Sequence, residues 1–179
     1  MPRFSKTLQS ILKDLRSHGG GNLYRDINIY FFNPSFRLLL NYRLGRYFKQ
    51  TNNSISRLLA RRYMYRMVTR RNCQISYEAV IGHNIKFLHP IGIVIGEQVV
   101  IEDNVRIWQQ VTLGSHGKGG YLSYPVIRKG VKIFAGAKII GQIEVGENAT
   151  IGANAVVLKT VPANAVAVGV PAKILKDEV

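Results

Sequence analysis

Cysteine is nearly absent from this sequence: Cys73 stands alone in 179 residues. A single thiol excludes an internal disulfide, and with it the small disulfide-stapled scaffolds of secreted domains. Acidic residues are scarce too, ten against 25 Lys and Arg, leaving a formal net charge of +15. No apolar run approaches the roughly 18 residues that a membrane-spanning helix needs. The opening Met-Pro-Arg-Phe-Ser-Lys lacks the apolar stretch of a secretory leader. Together these absences predict a cytoplasmic chain with one good core, or one core plus a small appendage.

The charge that is present is uneven. Residues 1–71 hold 15 Lys and Arg against Asp14 and Asp26, whereas residues 72–179 hold 10 basic and 8 acidic residues. Such asymmetry predicts two parts, a basic α-helical segment over 1–71 and a second domain over 72–179, with an anionic neighbour for the first. Phe4, Leu8, Ile11, Leu12 and Leu15 are spaced for one face of a helix that ends at His18-Gly-Gly-Gly. A second helix is expected after Asn33-Pro34, since proline favours the first helical turn. A third should run from near Ser54 to about Arg70. Three roles suit this segment: a helical cap used in oligomerisation, peripheral attachment to an anionic membrane, or nucleic-acid binding. No recognition motif accompanies the charge, so nucleic acid is not expected.

Beyond residue 72 an aliphatic residue returns every sixth position. The clearest run is Ile127, Ile133, Ile139, Val145, Ile151 and Val157, with Val131, Ala137, Ile143, Ala149, Ala155 and Val161 four residues after each. A helix cannot hold a period of six on one face, because six residues advance it by about 600°. A single strand alternates with period two. Short strands joined by tight corners do fit, and they predict a parallel β-helix in which each rung buries its aliphatic residue against the next. Ile75, Ile81 and Phe87 form an earlier set, and Ile95, Ile101, Ile107 and Leu113 another. The phase slips by two residues around Ile93-Val94. Between Leu113 and Ile127 the step is fourteen where twelve would be regular. Residues 114–125, with four glycines and a proline, read as a protruding loop. Insertions in such solenoids map to one face, often the binding face.

Of four histidines, His18 in the glycine-rich stretch reads as solvated and His83 as a corner surface residue. His89 precedes the phase slip and is expected within reach of the 114–125 loop. His116 lies in that loop as a second candidate. The close histidine pair that a zinc-binding β-helix would use is missing, and no Cys or carboxylate cluster replaces it, so no metal is expected.

These pieces occur in a telling order: His89-Pro-Ile-Gly-Ile-Val-Ile-Gly-Glu, Val111-Thr-Leu-Gly, Ile127-Arg-Lys-Gly-Val, Ile133-Phe-Ala-Gly-Ala-Lys-Ile-Ile-Gly and Gly169-Val-Pro-Ala-Lys-Ile. In them the stretch from Gln74 to Leu175 resembles the hexapeptide-repeat acyltransferases, most closely the serine acetyltransferase-like branch. The resemblance implies a left-handed β-helix, a homotrimer (or paired trimers) with active sites between subunits, and acetyl-CoA as donor. It implies His89 as general base, an imidazole able to take a hydroxyl proton near neutral pH. It also implies a CoA arm lying along Gly114, Ala135 and Ala153.

Three departures from that branch bear on the acceptor. Serine acetyltransferases carry an aspartate where this chain has Leu88, another where it has Gln74, and a histidine where it has Tyr124. A neutral Gln74 can still accept a hydrogen bond from His89, and Asp26 is a possible substitute carboxylate. Leu88, Trp108 and Tyr121 complete the candidate acceptor-binding set, with Trp108, Tyr121 and Tyr124 as aromatic surface for a sugar ring. These departures point to relatives that acetylate polysaccharides. The expectation is therefore an acetyl-CoA-dependent O-acetyltransferase acting on a sugar hydroxyl in surface-polysaccharide biosynthesis, held at the inner membrane face by residues 1–71. The alternatives are a serine O-acetyltransferase of cysteine biosynthesis and a non-catalytic hexapeptide scaffold.

Overall fold

The computed structural model describes residues 4–51, 53–117 and 123–175. Four helices come first: α1 (Phe4–Gly19), α2 (Leu23–Phe32), α3 (Pro34–Thr51) and α4 (Ser54–Arg71). Three lie where the apolar spacing places them, and α2 is additional. Asn22 caps it, its side-chain oxygen accepting from the backbone N–H groups of Tyr24 and Arg25. None of its residues is buried, so it has no core-facing stripe for a sequence pattern to reveal.

The chain then winds into a three-walled coil. The first turn is β1 (Gln74–Ile75), β2 (Val80–Ile81) and β3 (Lys86–Phe87); the second is β4 (Val94–Ile95), β5 (Val100–Ile101) and β6 (Arg106–Ile107). The third is β7 (Thr112–Gly114), β8 (Val126–Ile127) and β9 (Lys132–Ile133); the fourth is β10 (Lys138–Ile140), β11 (Glu144–Val145) and β12 (Thr150–Ile151). β13 (Val156–Val157), β14 (Val166–Val168) and β15 (Lys173–Leu175) close the stack. Wall one is β1-β4-β7-β10-β13, wall two β2-β5-β8-β11, and wall three β3-β6-β9-β12-β14, edged by antiparallel β15. Each short strand presents one residue outward and one inward. Ile75, Ile95, Leu113, Ile139 and Val157 stack inside wall one with at most 1% exposure. Burying each such side chain stabilises the coil by about 1.5–3 kcal/mol.

Register locates the irregularities better than periodicity does. A regular turn takes eighteen residues, as when Ile95 pairs with Leu113 and Ile139 with Val157. The first takes twenty (Ile75 with Ile95) and the third twenty-six (Leu113 with Ile139). Leu113 and Ile127 lie on successive walls, so the fourteen-residue step contains eight extra residues, not the two expected. The earlier slip also moves. Ile91, four residues after Phe87 and so in the place of a buried rung residue, is 59% exposed, and Ile93 is fully buried in its stead. The insertion therefore lies before Ile91.

Tight corners need left-handed backbone. Asn84, Asn104, Asn148 and Asn164 supply it between walls two and three, with φ of 54–63°, and asparagine tolerates that region better than most residues. Gly130 fills the same place with φ 74°. Its missing Cβ leaves the room that the Asn148 side chain occupies.

The first turn has no coil beneath it, so its outward backbone groups would be unpaired. The helices satisfy them. Tyr42 Oη donates to the Ala79 carbonyl at 2.6 Å, Arg43 Nη1 to Ile81 at 2.7 Å and Arg46 Nη1 to Tyr77 at 2.9 Å. The Phe87 N–H donates to Ser35 Oγ at 2.9 Å and the Ile75 N–H to Met67 Sδ at 3.1 Å. Arg43 is held in turn by the fully buried Asp14, Nε to Oδ2 at 2.9 Å. α3 is thereby locked over the ends of walls two and three, with α1 tied to it through Asp14.

Candidate active site

The corner between walls three and one repeats a fixed pattern. The N–H groups of Gln110, Gly136 and Asn154 donate to the carbonyls of Ile91, Gln109 and Ala135 in the preceding turns. Ile91, Gln109, Ala135 and Ala153 therefore share one column, and Leu88, Trp108 and Phe134 share the one before it. Leu88 is followed directly by Ile91 in this pattern, with His89-Pro90 left over. The two-residue insertion is the histidine and its proline. His89 has φ 51°, and its carbonyl accepts from the Ile91 N–H at 2.7 Å, closing a three-residue turn. The bulge pushes an exposed imidazole off the coil.

His89 opens on a cleft of about 470 Å³ between the bulge, the end of α1 and the start of α3. His18, Ser35, Lys86, Phe87, Leu88 and Arg106 line it together with His89. His18 is thus not a solvated linker residue. Its Nδ1 is 2.8 Å from the Asp14 carbonyl, an acceptor, so Nδ1 carries the proton. Its Nε2 is 2.9 Å from Ser35 Oγ. Ser35 can then donate to Nε2 while accepting from Phe87. Burial lowers the His18 pKa first of all, with Lys86 adding to it, while the Asp14 carbonyl and carboxylate oppose them. The ring is a neutral strut between helix and coil.

The remaining candidates divide among separate places. Gln74 lies on β1, alongside the bulge: its N–H donates to the Ile93 carbonyl, and Cys73 Sγ reaches the Pro90 carbonyl at 3.3 Å. Among the described residues the His89 ring has no hydrogen-bond partner, Gln74 included. Asp26 packs against Gly19, one residue beyond His18, with one buried oxygen unpaired. It does not line the cleft. Trp108 stacks on Phe134, centroids 4.5 Å apart, so that face of its ring is covered. Tyr121 lies outside the described residues.

His116 and Tyr124, at the two ends of the 114–125 insertion, lie at a different corner, between walls one and two. Tyr124 covers Gly96, and His116 lies over Gly141. His89 and its own chain's loop therefore occupy different corners, contrary to the expectation that they face each other. Gly114 is likewise parted from Ala135 and Ala153. Sequence reasoning missed His18, Ser35, Lys86 and Arg106. Nothing local marks them, because they become cleft residues only when α1 and α3 pack on wall three.

Residues 124–159 match the family model described as bacterial transferase hexapeptide (six repeats). The serine acetyltransferase of Haemophilus influenzae is 56% identical over 100 residues, 56% of this chain and 38% of that protein. A solved serine acetyltransferase in complex with CoA is 36% identical, with a TM-score of 0.82, covering 96% of this chain and 70% of that one. Soybean serine acetyltransferase complexed with serine is 34% identical, with a TM-score of 0.83, covering 96% and 72%. This chain belongs to the hexapeptide-repeat acyltransferases, in their serine acetyltransferase-like branch. Its coil is the left-handed β-helix of that family. The chain spans roughly a third to a half of the length of the curated relatives it matches. These relatives overturn the sugar acceptor, because matches at 45–56% identity are named for serine and not for a polysaccharide. The Phe134 stack covers one face of Trp108, one of the three aromatics on which the sugar reading leaned.

Proposed function

We propose that this protein is an acetyl-CoA-dependent serine O-acetyltransferase with His89 as its general base. The observation that carries the reading is the His89-Pro90 bulge, which places an unpartnered imidazole at the mouth of a cleft in a chain of this branch. His89 would take the proton of the serine hydroxyl as its oxygen attacks the thioester carbonyl. The tetrahedral intermediate would then collapse, expelling the CoA thiolate, which regains a proton from the imidazolium. No covalent acyl-enzyme is needed. Backbone N–H groups near the insertion are suited to the developing oxyanion.

The CoA arm would run along Ala135 and Ala153 on one subunit and past Gly114 on the next, since these lie at different corners. A homotrimer supplies that pairing, and it brings His116 and Tyr124 of one subunit toward His89 of another. Gln74 and Leu88 flank the base where the branch carries aspartates, so His89 would work without a carboxylate partner. The test is CoA release from acetyl-CoA, followed with a thiol reagent. Release should depend on L-serine; a rate no greater than acetyl-CoA hydrolysis alone would sink the reading.

A membrane contact for the helical segment has its own support. Leu23 and Phe32 of α2 are each 77% exposed, with Tyr24, Ile27, Tyr30 and Phe31 also exposed. Arg37 of α3 and Arg66 and Arg71 of α4 line one pocket with Tyr30, and of the two acids in this segment Asp14 is buried against Arg43. No helix among the described residues is long and apolar enough to cross a membrane, so the contact would be interfacial. Co-sedimentation with anionic but not neutral vesicles is the expected result.

A further inference from the structure

Lys86 and Arg106 have no part in the chemistry assigned above. They are register partners on β3 and β6, side by side on the outward face of wall three, and both line the cleft onto which His89 opens. Lys132 continues the row on β9. Like charges directly opposite on neighbouring strands repel each other. Among the described residues neither Lys86 nor Arg106 makes an ion pair. Lys86 Nζ instead donates to the Ser17 carbonyl. Burial lowers the Lys86 pKa, the carboxylate of Asp14 opposes this, and Arg106 lowers it further. Asp14 is itself committed to Arg43.

Among the described residues, none that lines the cleft is a carboxylate. The lining also holds the neutral His18 and Ser35: Ser35 donates to His18 Nε2 and accepts from the Phe87 N–H, so both are already engaged. A bound molecule therefore meets two cations and nothing that favours an ammonium group. An anion lying between Lys86 and Arg106 would relieve their repulsion through charge-assisted hydrogen bonds. We propose that Lys86 and Arg106 form an anion subsite that selects acceptors bearing a carboxylate or phosphate near the hydroxyl. This rests on the acetyl-transfer reading, in which the carboxylate of L-serine is the group they hold.

The test uses the full chain and four acceptors: L-serine, D-glycerate (carboxylate without amine), glycerol 3-phosphate, and ethanolamine (amine without anion). Ethanolamine should be acetylated at least about tenfold more slowly than the anionic acceptors. Arg106→Gln and Lys86→Gln should each raise KM for L-serine about tenfold, leaving kcat and KM for acetyl-CoA nearly unchanged. Arg106→Lys should recover most of the loss. Faster turnover of glycerol 3-phosphate assigns the subsite to phosphate, and faster turnover of L-serine and glycerate assigns it to carboxylate. Ethanolamine used as well as L-serine, or Arg106→Gln with an unchanged KM, overturns the subsite. Should no acceptor be acetylated, the transferase reading fails separately. Calorimetry with inorganic phosphate then decides the subsite: binding lost in Arg106→Gln retains it, and no binding to the unsubstituted protein removes it.

Discussion

A histidine at φ 51° occupies backbone that L-residues with a Cβ rarely adopt, and such strain persists where the surroundings enforce it. At His89 the enforcing contacts are the register bonds on either side, which fix Leu88 and Ile91 and leave the two residues between them no regular place. The side chain is exposed and unpartnered, so it stabilises nothing that its removal would expose. His89→Ala should therefore lower acetyl transfer by about 10²–10⁴-fold, the usual worth of a general base, while leaving the thermal midpoint unchanged. Calorimetry and the CoA-release assay on one preparation check both halves. His18 is the opposite case, buried and strut-like. Its folded pKa lies below the ordinary 6.5, so below that value the unfolded chain binds a proton that the native state refuses. Stability is present above about pH 6.5 and is lost as pH falls toward the folded pKa. The urea midpoint should drop between about pH 7.5 and pH 5.5, and His18→Gln should flatten that drop. An equal drop in the variant would assign the acid sensitivity to other groups.

At the scale of elements, the coil is a regular eighteen-residue turn broken by insertions, and the insertions carry the candidate chemistry. Deleting His89 and Pro90 together should join Leu88 to Ile91 in the pattern that Trp108 and Gln109 already follow. The deletion variant should fold, with a far-ultraviolet circular dichroism spectrum like the parent's, and show no acetyl transfer. Failure to fold would mean that the bulge is structural. The period of six made the walls legible because every rung buries an aliphatic residue, and Ile133, Ile139 and Val145 announce this without any tertiary knowledge. The position of the slip was not legible. Ile91 and Ile93 are both isoleucine, and only register shows that Ile93 is buried. α2 escaped notice because it buries nothing, and His18 because its partner Ser35 lies 17 residues away, on another helix. Lys86 and Arg106 read as an ordinary solvated strand face until α1 and α3 cover part of it.

For the whole molecule, the decisive fact is that one chain does not bring its own candidates together. His89 projects between walls three and one, whereas His116 and Tyr124 lie between walls one and two. A closed three-fold arrangement joins unlike corners of neighbouring copies, a heterologous contact repeated until the ring closes. Sites assembled this way can be complemented. A His89→Ala chain keeps its insertion, and a chain with residues 115–123 replaced by a short glycine linker keeps its histidine; each alone should be inactive. Unfolded together in equal amounts and refolded, they form mixed rings in which a site is complete whenever the histidine comes from one kind of chain and the insertion from the other. Random mixing makes about a quarter of the sites complete, so about a quarter of the parental acetyl transfer should return. If histidine and insertion had to come from the same chain, no mixture would contain a complete site, and activity would stay at background however the two chains were combined.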